Sequence, residues 1–207
     1  MDAFNRIETE EKLRSIMGLP GELAANKVID RIDEHCRRFI ETSPFLVLTT
    51  RAADGHLDLS PKGDPHGFVA VLDEKTLALP DRLGNNRTDS LSNLLHDPHA
   101  GLIFMVPGRT ETLRVAGTAI ITDDQKLRER LAHQGKPPKL VIVVRMERAY
   151  FHCAKCMIRS DLWRPENWPQ TDDFPSLGRV VRDHAAASLT TAEADARIEE
   201  DERERLY

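Results

Sequence analysis

Three short stretches hold side chains whose types and spacing suit chemistry: Gly84-Asn85-Asn86-Arg87, Ser60-Pro61-Lys62-Gly63 and Thr112-Leu113-Arg114. The first stands directly before Thr88 to Leu95, a segment with helical apolar spacing. A helix start leaves backbone amides without acceptors, so an anion such as phosphate could sit there, and Arg87 adds a guanidinium able to fork onto its oxygens. The same residues also suit a plain cap, with Asn85 and Asn86 closing a turn and Arg87 solvated. In HLDLSPKG, Leu57 and Leu59 alternate with His56, Asp58 and Ser60, so the strand ends by exposing the Ser60 hydroxyl and the Lys62 ammonium. An edge strand closing on Pro61 explains that pattern equally well. Arg114 lies opposite Leu113 and Val115 in a long apolar strand, where it needs water, an anionic ligand or a salt bridge with Glu111.

The stretch with the most metal-like spacing is FHCAKCMIRS, with His152, Cys153 and Cys156. A structural zinc site takes four ligands, commonly from two such pairs, and the remaining cysteine is Cys36 beside His35. No metal site is assigned, and without a βαβ context around the CxxC neither is a thioredoxin-like one. No GxSxG, HExxH, Walker loop or GxGxxG occurs. No catalytic side chain is assigned from spacing.

These residues sit in a chain whose grammar changes at Pro44. Before it, Ile7, Leu13 and Ile16 belong to one helical piece, and Val28, Ile32, Cys36 and Phe39 form the apolar stripe of a second helix. After it come short β-rich runs, FLVLTT, HLDLS, GFVAVL and TLAL, which predict an antiparallel meander with turns at Ala53-Asp54-Gly55 and Asp73-Glu74-Lys75. AGLIFMV and ETLRVAGTAIIT follow the short helix, with Leu113, Val115, Gly117, Ala119 and Ile121 on one face. A helix over 123–133, capped by Asp123, then precedes the long strand KLVIVVRMERAYFHC. So many strands with short helices between them predict an α+β, mainly antiparallel barrel rather than a doubly wound sheet. The tail from Ser188 predicts a charged helix, with seven acids against three arginines over 193–205.

The chain has 207 residues, 40% of them hydrophobic, and a net charge of -5, which fits one folded domain with extensions and disfavours a polyanion partner such as nucleic acid. There is no membrane-length apolar run and no signal-like start, and the three cysteines are an odd number, so a cytoplasmic protein with reduced thiols is expected.

Together, SPKGDPHGF, GNNRTDSLSNLLHDP, GLIFMVPGRTETLRVAGTA and KCMIRSDLW resemble the pyridoxamine 5'-phosphate oxidase-like family of FMN-binding split barrels, over about Pro44 to Trp163. The similarity is greatest to its PPOX-class FMN-dependent enzymes. It implies a six-stranded Greek-key split β-barrel over 44–163, between an N-terminal helical extension (1–43) and a partly helical C-terminal one (164–207). It also implies a homodimer with FMN at the interface, acting on a small-molecule substrate or electron donor. By the same resemblance Ser60 and Lys62 meet the ribityl or phosphate end of FMN, Asn86 and Arg87 its phosphate, and Thr112 and Arg114 the flavin or its phosphate side. Arg159, Ser160 and Trp163 match the piece that covers the flavin. The chain departs from the pyridoxamine phosphate oxidases proper at Asn86, where they carry a cation, and at Thr112, near which they carry Gln. That argues against the vitamin B6 reaction itself. Relatives of this fold that use F420 or haem, or that bind flavin without turnover, are the alternative readings.

Overall fold

The computed structural model describes residues 4–207. Its frame is one seven-stranded antiparallel sheet built from β1 (Phe45–Arg51), β2 (Leu57–Gly63), β3 (Ala70–Val71), β4 (Thr76–Asp81), β5 (His99–Met105), β6 (Thr112–Thr122) and β7 (Leu140–His152). The strand order is β2-β1-β5-β6-β7-β4-β3. Six strands span six residues or more, as expected; the seventh, β3, is a two-residue pairing of Ala70 and Val71 with β4.

The predicted hairpins form, but they do not make one meander. β1 pairs with β2, and β3 with β4, while β1 turns its other edge to β5 and β4 pairs with β7. The two hairpins therefore occupy opposite ends of the sheet. Alternation reports which face a residue takes and carries no information on which strand lies alongside.

The sheet curls because strands from both ends share one core. Leu46 and Leu48 of β1, Leu77 and Leu79 of β4, Phe104, Leu113 and Met146 all belong to a single cluster and are at most 2% exposed. Each such side chain contributes about 1.5–3 kcal/mol by leaving water. Gly117 sits where β6 slips register against β7, and a Cβ there would meet the Arg145 carbonyl oxygen at 2.1 Å. Only a residue without a side chain fits that crossing.

The second predicted N-terminal helix is interrupted. The chain forms α1 (Glu10–Met17), α2 (Glu22–Asn26) and α3 (Glu34–Thr42), the last capped by Asp33 Oδ1, which accepts from the Cys36 amide at 2.8 Å. Between α2 and α3, Ile29 exchanges backbone hydrogen bonds with Ala149, at 2.9 and 2.8 Å. β4 pairs with β7 only as far as Arg145, so the edge at Ala149 is open and an extended segment satisfies it. Cys36, Phe39 and Ile40 face the core, whereas Val28 is half exposed.

α4 (Asp89–His96) matches the expected short helix, and α5 (Gln125–Arg130) is capped by Asp124 rather than Asp123: its Oδ1 accepts from the Leu127 amide at 2.8 Å. β7 is followed by α6 (Lys155–Arg159). The tail helix, α8 (Thr191–Glu204), opens with a capping box formed by Thr190 and Glu193. It packs against α7 (Leu177–His184), whose Gly178 amide donates to Asp195 at 3.1 Å; a Cβ at Gly178 would lie 2.2 Å from that carboxylate oxygen. No helix among the described residues is long and apolar enough to cross a membrane.

Candidate functional site

Alternation along β2 sends Asp58, Ser60 and Lys62 inward, half-buried, and leaves Leu57 and Leu59 outward at 67% and 66% exposure. The polar face looks inward because β2 ends the sheet beside α4 rather than over the core. There Ser90 donates its hydroxyl to Asp58 Oδ2 at 2.6 Å, tying the first turn of α4 to the strand. Lys62 Nζ reaches Asp81 Oδ1 on β4 at 3.4 Å. The gap between these strands is a cleft of about 470 Å³ lined by Ser60, Lys62, Arg82, Asn86, Arg87 and Lys139, among others.

One wall of this inner cleft is the loop from Arg82 to Thr88. Asn85 Oδ1 accepts from the Arg87 amide at 3.0 Å, closing a small turn, and both Asn86 and Thr88 adopt left-handed backbone with φ of 58°. Asn tolerates that conformation, but the β-branched Thr88 is held in it against its own preference. Thr88 occupies the cap position of α4 without making a side-chain cap bond, so among the described residues the first-turn amides have no capping side chain. Of the plain cap-and-turn reading of GNNR, the Asn85 turn is present but no side chain caps the helix among the described residues.

The cations in the cleft are mostly engaged by neighbouring acids. Arg87 Nε lies 2.8 Å from Asp89 Oδ2, and that hydrogen bond is the main reason its pKa is raised further. Arg82 donates to Asp64 at 2.6 Å, and Lys139 has no acidic partner among the described residues. An incoming dianion would compete with Asp89 and Asp81 for Arg87 and Lys62.

Thr112 and Arg114 lie elsewhere, on the outer face of the sheet. They border a second cleft of about 890 Å³ with Thr49, Leu57, Tyr150 and Met157. Arg114 makes no salt bridge among the described residues, because Glu111 is taken by Arg109, and its guanidinium lies 5.2 Å from the centre of the Tyr150 ring. Thr112 is 2% exposed, and its hydroxyl has no hydrogen-bond partner among the described residues. Such a group costs stability unless something bonds to it. Asp97, at the rim, is held down to about 2 by its hydrogen bonds to His99 and then to Arg51.

Trp163 is anchored by donating from Nε1 to the Arg109 carbonyl at 2.7 Å, while Arg159 and Ser160 are exposed on and just after α6. None of these three lines the inner cleft of its own chain. Cys153 and Cys156 are exposed free thiols and Cys36 is buried; burial first, then the Asp33 carboxylate, pushes the Cys36 thiol up to about 12. Among the described residues no group of three or more His, Cys, Asp or Glu side chains is placed to hold a metal ion.

The structure therefore joins Ser60, Lys62, Asn86 and Arg87 in one cleft and Thr112 with Arg114 in another. Sequence reasoning missed Arg82, Lys139 and Tyr150. The signal for Tyr150 was pairing, since it stands directly opposite Arg114 across β6 and β7.

Residues 32–153 match the sequence profile of the pyridoxamine 5'-phosphate oxidase family. No curated protein matches the chain. Similar solved structures include HupZ from Group A Streptococcus, with 19% identity over 58% of this chain and 93% of that one and a TM-score of 0.49. A protein from Clostridium acetobutylicum related to general stress protein 26 of the pyridoxinephosphate oxidase family shows 17% identity over 57% and 85%, with a TM-score of 0.42. An FMN-binding protein from Syntrophomonas wolfei shows 14% identity over 56% and 88%, with a TM-score of 0.42.

Proposed function

Because the chain belongs to the pyridoxamine 5'-phosphate oxidase family, we propose that it is a homodimeric FMN-binding flavoprotein and an oxidoreductase. Bound FMN would supply hydride or electron transfer, with the protein providing position and electrostatics. The observation that carries the reading is the inner cleft, where Lys62, Arg87 and the uncapped first turn of α4 converge. A phosphate dianion matches that donor set of ammonium, guanidinium and backbone amides. Ser60 and Asn86 add polar groups on either wall.

The second copy is argued from the outer face. Across β2, β1, β5 and β6 that face presents Leu57, Leu59, Val47 and Ile103, beside the small residues Gly101 and Ala116. Leu59 borders the inner cleft and Leu57 the outer one, so a partner packed on this edge reaches both. In that arrangement Thr112 and Arg114, with Arg159, Ser160 and Trp163, would serve the flavin bound at the neighbouring protomer. The unpartnered Thr112 hydroxyl fits such a role.

Purified protein is expected to be yellow with flavin absorption, to retake FMN after stripping, and to run as a dimer by light scattering. Bound FMN should be reduced by NAD(P)H and reoxidised by an acceptor. Colourless protein that takes up no added FMN overturns the flavin assignment, and a spectrum of F420 or haem replaces it.

A further inference from the structure

The segment after α8 returns to the inner cleft and grips the loop that forms its wall. Tyr207 donates its hydroxyl to Asp64 Oδ1 at 2.7 Å, while Arg82 Nε donates to the other oxygen, Oδ2, at 2.6 Å. The Asp64 side chain is 1% exposed, so both donors are needed to satisfy a carboxylate removed from water. The tyrosine ring lies 4.5 Å from the His133 ring and 5.8 Å from the Arg82 guanidinium, and Lys136 Nζ donates to the Tyr207 carbonyl oxygen at 3.1 Å. Two residues earlier, Arg205 donates to the Gly84 carbonyl oxygen at 3.4 Å. Arg82 itself continues to the Leu131 carbonyl at 3.0 Å, so the start of the loop is fixed between the tail and the end of α5.

That loop is the one whose left-handed Thr88 requires outside support. Arg82 and Gly84, the residues the tail holds, immediately precede the Asn85 turn and Arg87. We propose that Tyr207, with Arg205, is a positioning element for the anion cleft: it fixes the 82–88 loop in the shape that presents Arg87 and the first turn of α4 to a bound phosphate group. Tyr207 touches no ligand in this role and acts through Asp64 and Arg82. The inference rests on the flavin reading for its ligand, but its effect on the loop does not.

The test uses the full chain and Tyr207→Phe, which removes one hydroxyl and keeps the ring stacking, alongside Arg205→Ala. Amide hydrogen exchange is followed without ligand, and FMN affinity is titrated by fluorescence. Exchange over residues 82–88 should rise in both variants while the strands of the barrel stay protected. FMN should bind Tyr207→Phe about 3- to 10-fold more weakly, the range one ordinary net hydrogen bond spans when its loss is passed on through the loop. Unchanged exchange over 82–88 overturns the proposal, and so does a rise spread over the whole barrel, which marks Tyr207 as a general stabiliser. If wild-type protein takes up no FMN, the flavin reading fails, and the exchange comparison alone decides the role of the tail.

Discussion

Lys62 on β2 and Asp81 on β4 meet at 3.4 Å although β1, β5, β6 and β7 lie between their strands in the sheet. The contact marks where the curled sheet nearly closes on itself, and the inner cleft is the remaining opening. Both side chains are largely covered, at 23% exposure each, so neither ion is fully solvated and each relies on the other. A phosphate entering the cleft would give Lys62 a second anionic neighbour and place Asp81 at its edge.

If the cleft holds the phosphate of FMN, as proposed, Arg87 and Asp89 should set its affinity in opposite directions. Arg87→Ala is expected to weaken FMN about 10-fold or more, the worth of a charge-assisted pair. Asp89→Asn releases Arg87 from its 2.8 Å partner and removes a negative charge beside the anion, so FMN should bind more tightly. Titration of the stripped protein by flavin fluorescence checks both. Equal affinity in the two variants would place the phosphate elsewhere.

The outward leucines of β2 test the proposed dimer. Leu59→Glu puts a charge on a side chain that is 66% exposed in one chain, so the isolated fold should lose little stability. It should nevertheless shift the molecule from dimer to monomer in analytical ultracentrifugation and reduce flavin retention, because both clefts border this edge. A dimer of unchanged strength would exclude this face.

The thiols should separate cleanly. Cys153 and Cys156 are exposed and should react with a thiol reagent in the native protein. Cys36, 1% exposed and pushed up to about 12, should react only after unfolding. Rapid native labelling of all three would contradict the packing of α3 on the sheet.

Acid stability has a defined local contribution at Asp97. Its carboxylate is held at about 2 against an ordinary 3.8 by His99 and Arg51, so this contribution is complete above pH 3.8 and disappears as pH falls through about 2. Asp97→Asn, which joins the ends of β1 and β5 without the charge, should flatten the acid unfolding curve in that interval. Circular dichroism during acid titration measures it, and an unchanged slope would count against the pairing.

The faces of strands were legible in the sequence, and their neighbours were not. Alternation placed Leu57 and Leu59 opposite Ser60, and Leu113 with Val115 and Gly117, as the burial shows. The break at Ile29 was hidden because the helical stripe of Val28, Ile32, Cys36 and Phe39 is a local pattern, while the open edge at Ala149 lies 120 residues away. Ser60, Lys62, Asn86 and Arg87 converge because the sheet curls, a consequence of core packing from both of its ends. The separate placement of Thr112 and Arg114 follows from the parity of β6, which turns them to the outer face. The tail contact at Tyr207 left no signal at all, since one tyrosine and one buried aspartate 143 residues apart have no periodicity.

Thr112 offers a test in which stability and binding move apart. Its buried hydroxyl has no partner among the described residues, so the chain alone carries the cost of an unsatisfied polar group. Thr112→Val keeps the shape and removes that group, and should stabilise the stripped protein by about 1 kcal/mol in urea unfolding. If a ligand or a second protomer normally supplies the missing hydrogen bond, the same variant should bind FMN more weakly or dimerise less well. A hydroxyl kept only for packing would give the gain in stability with no loss of either.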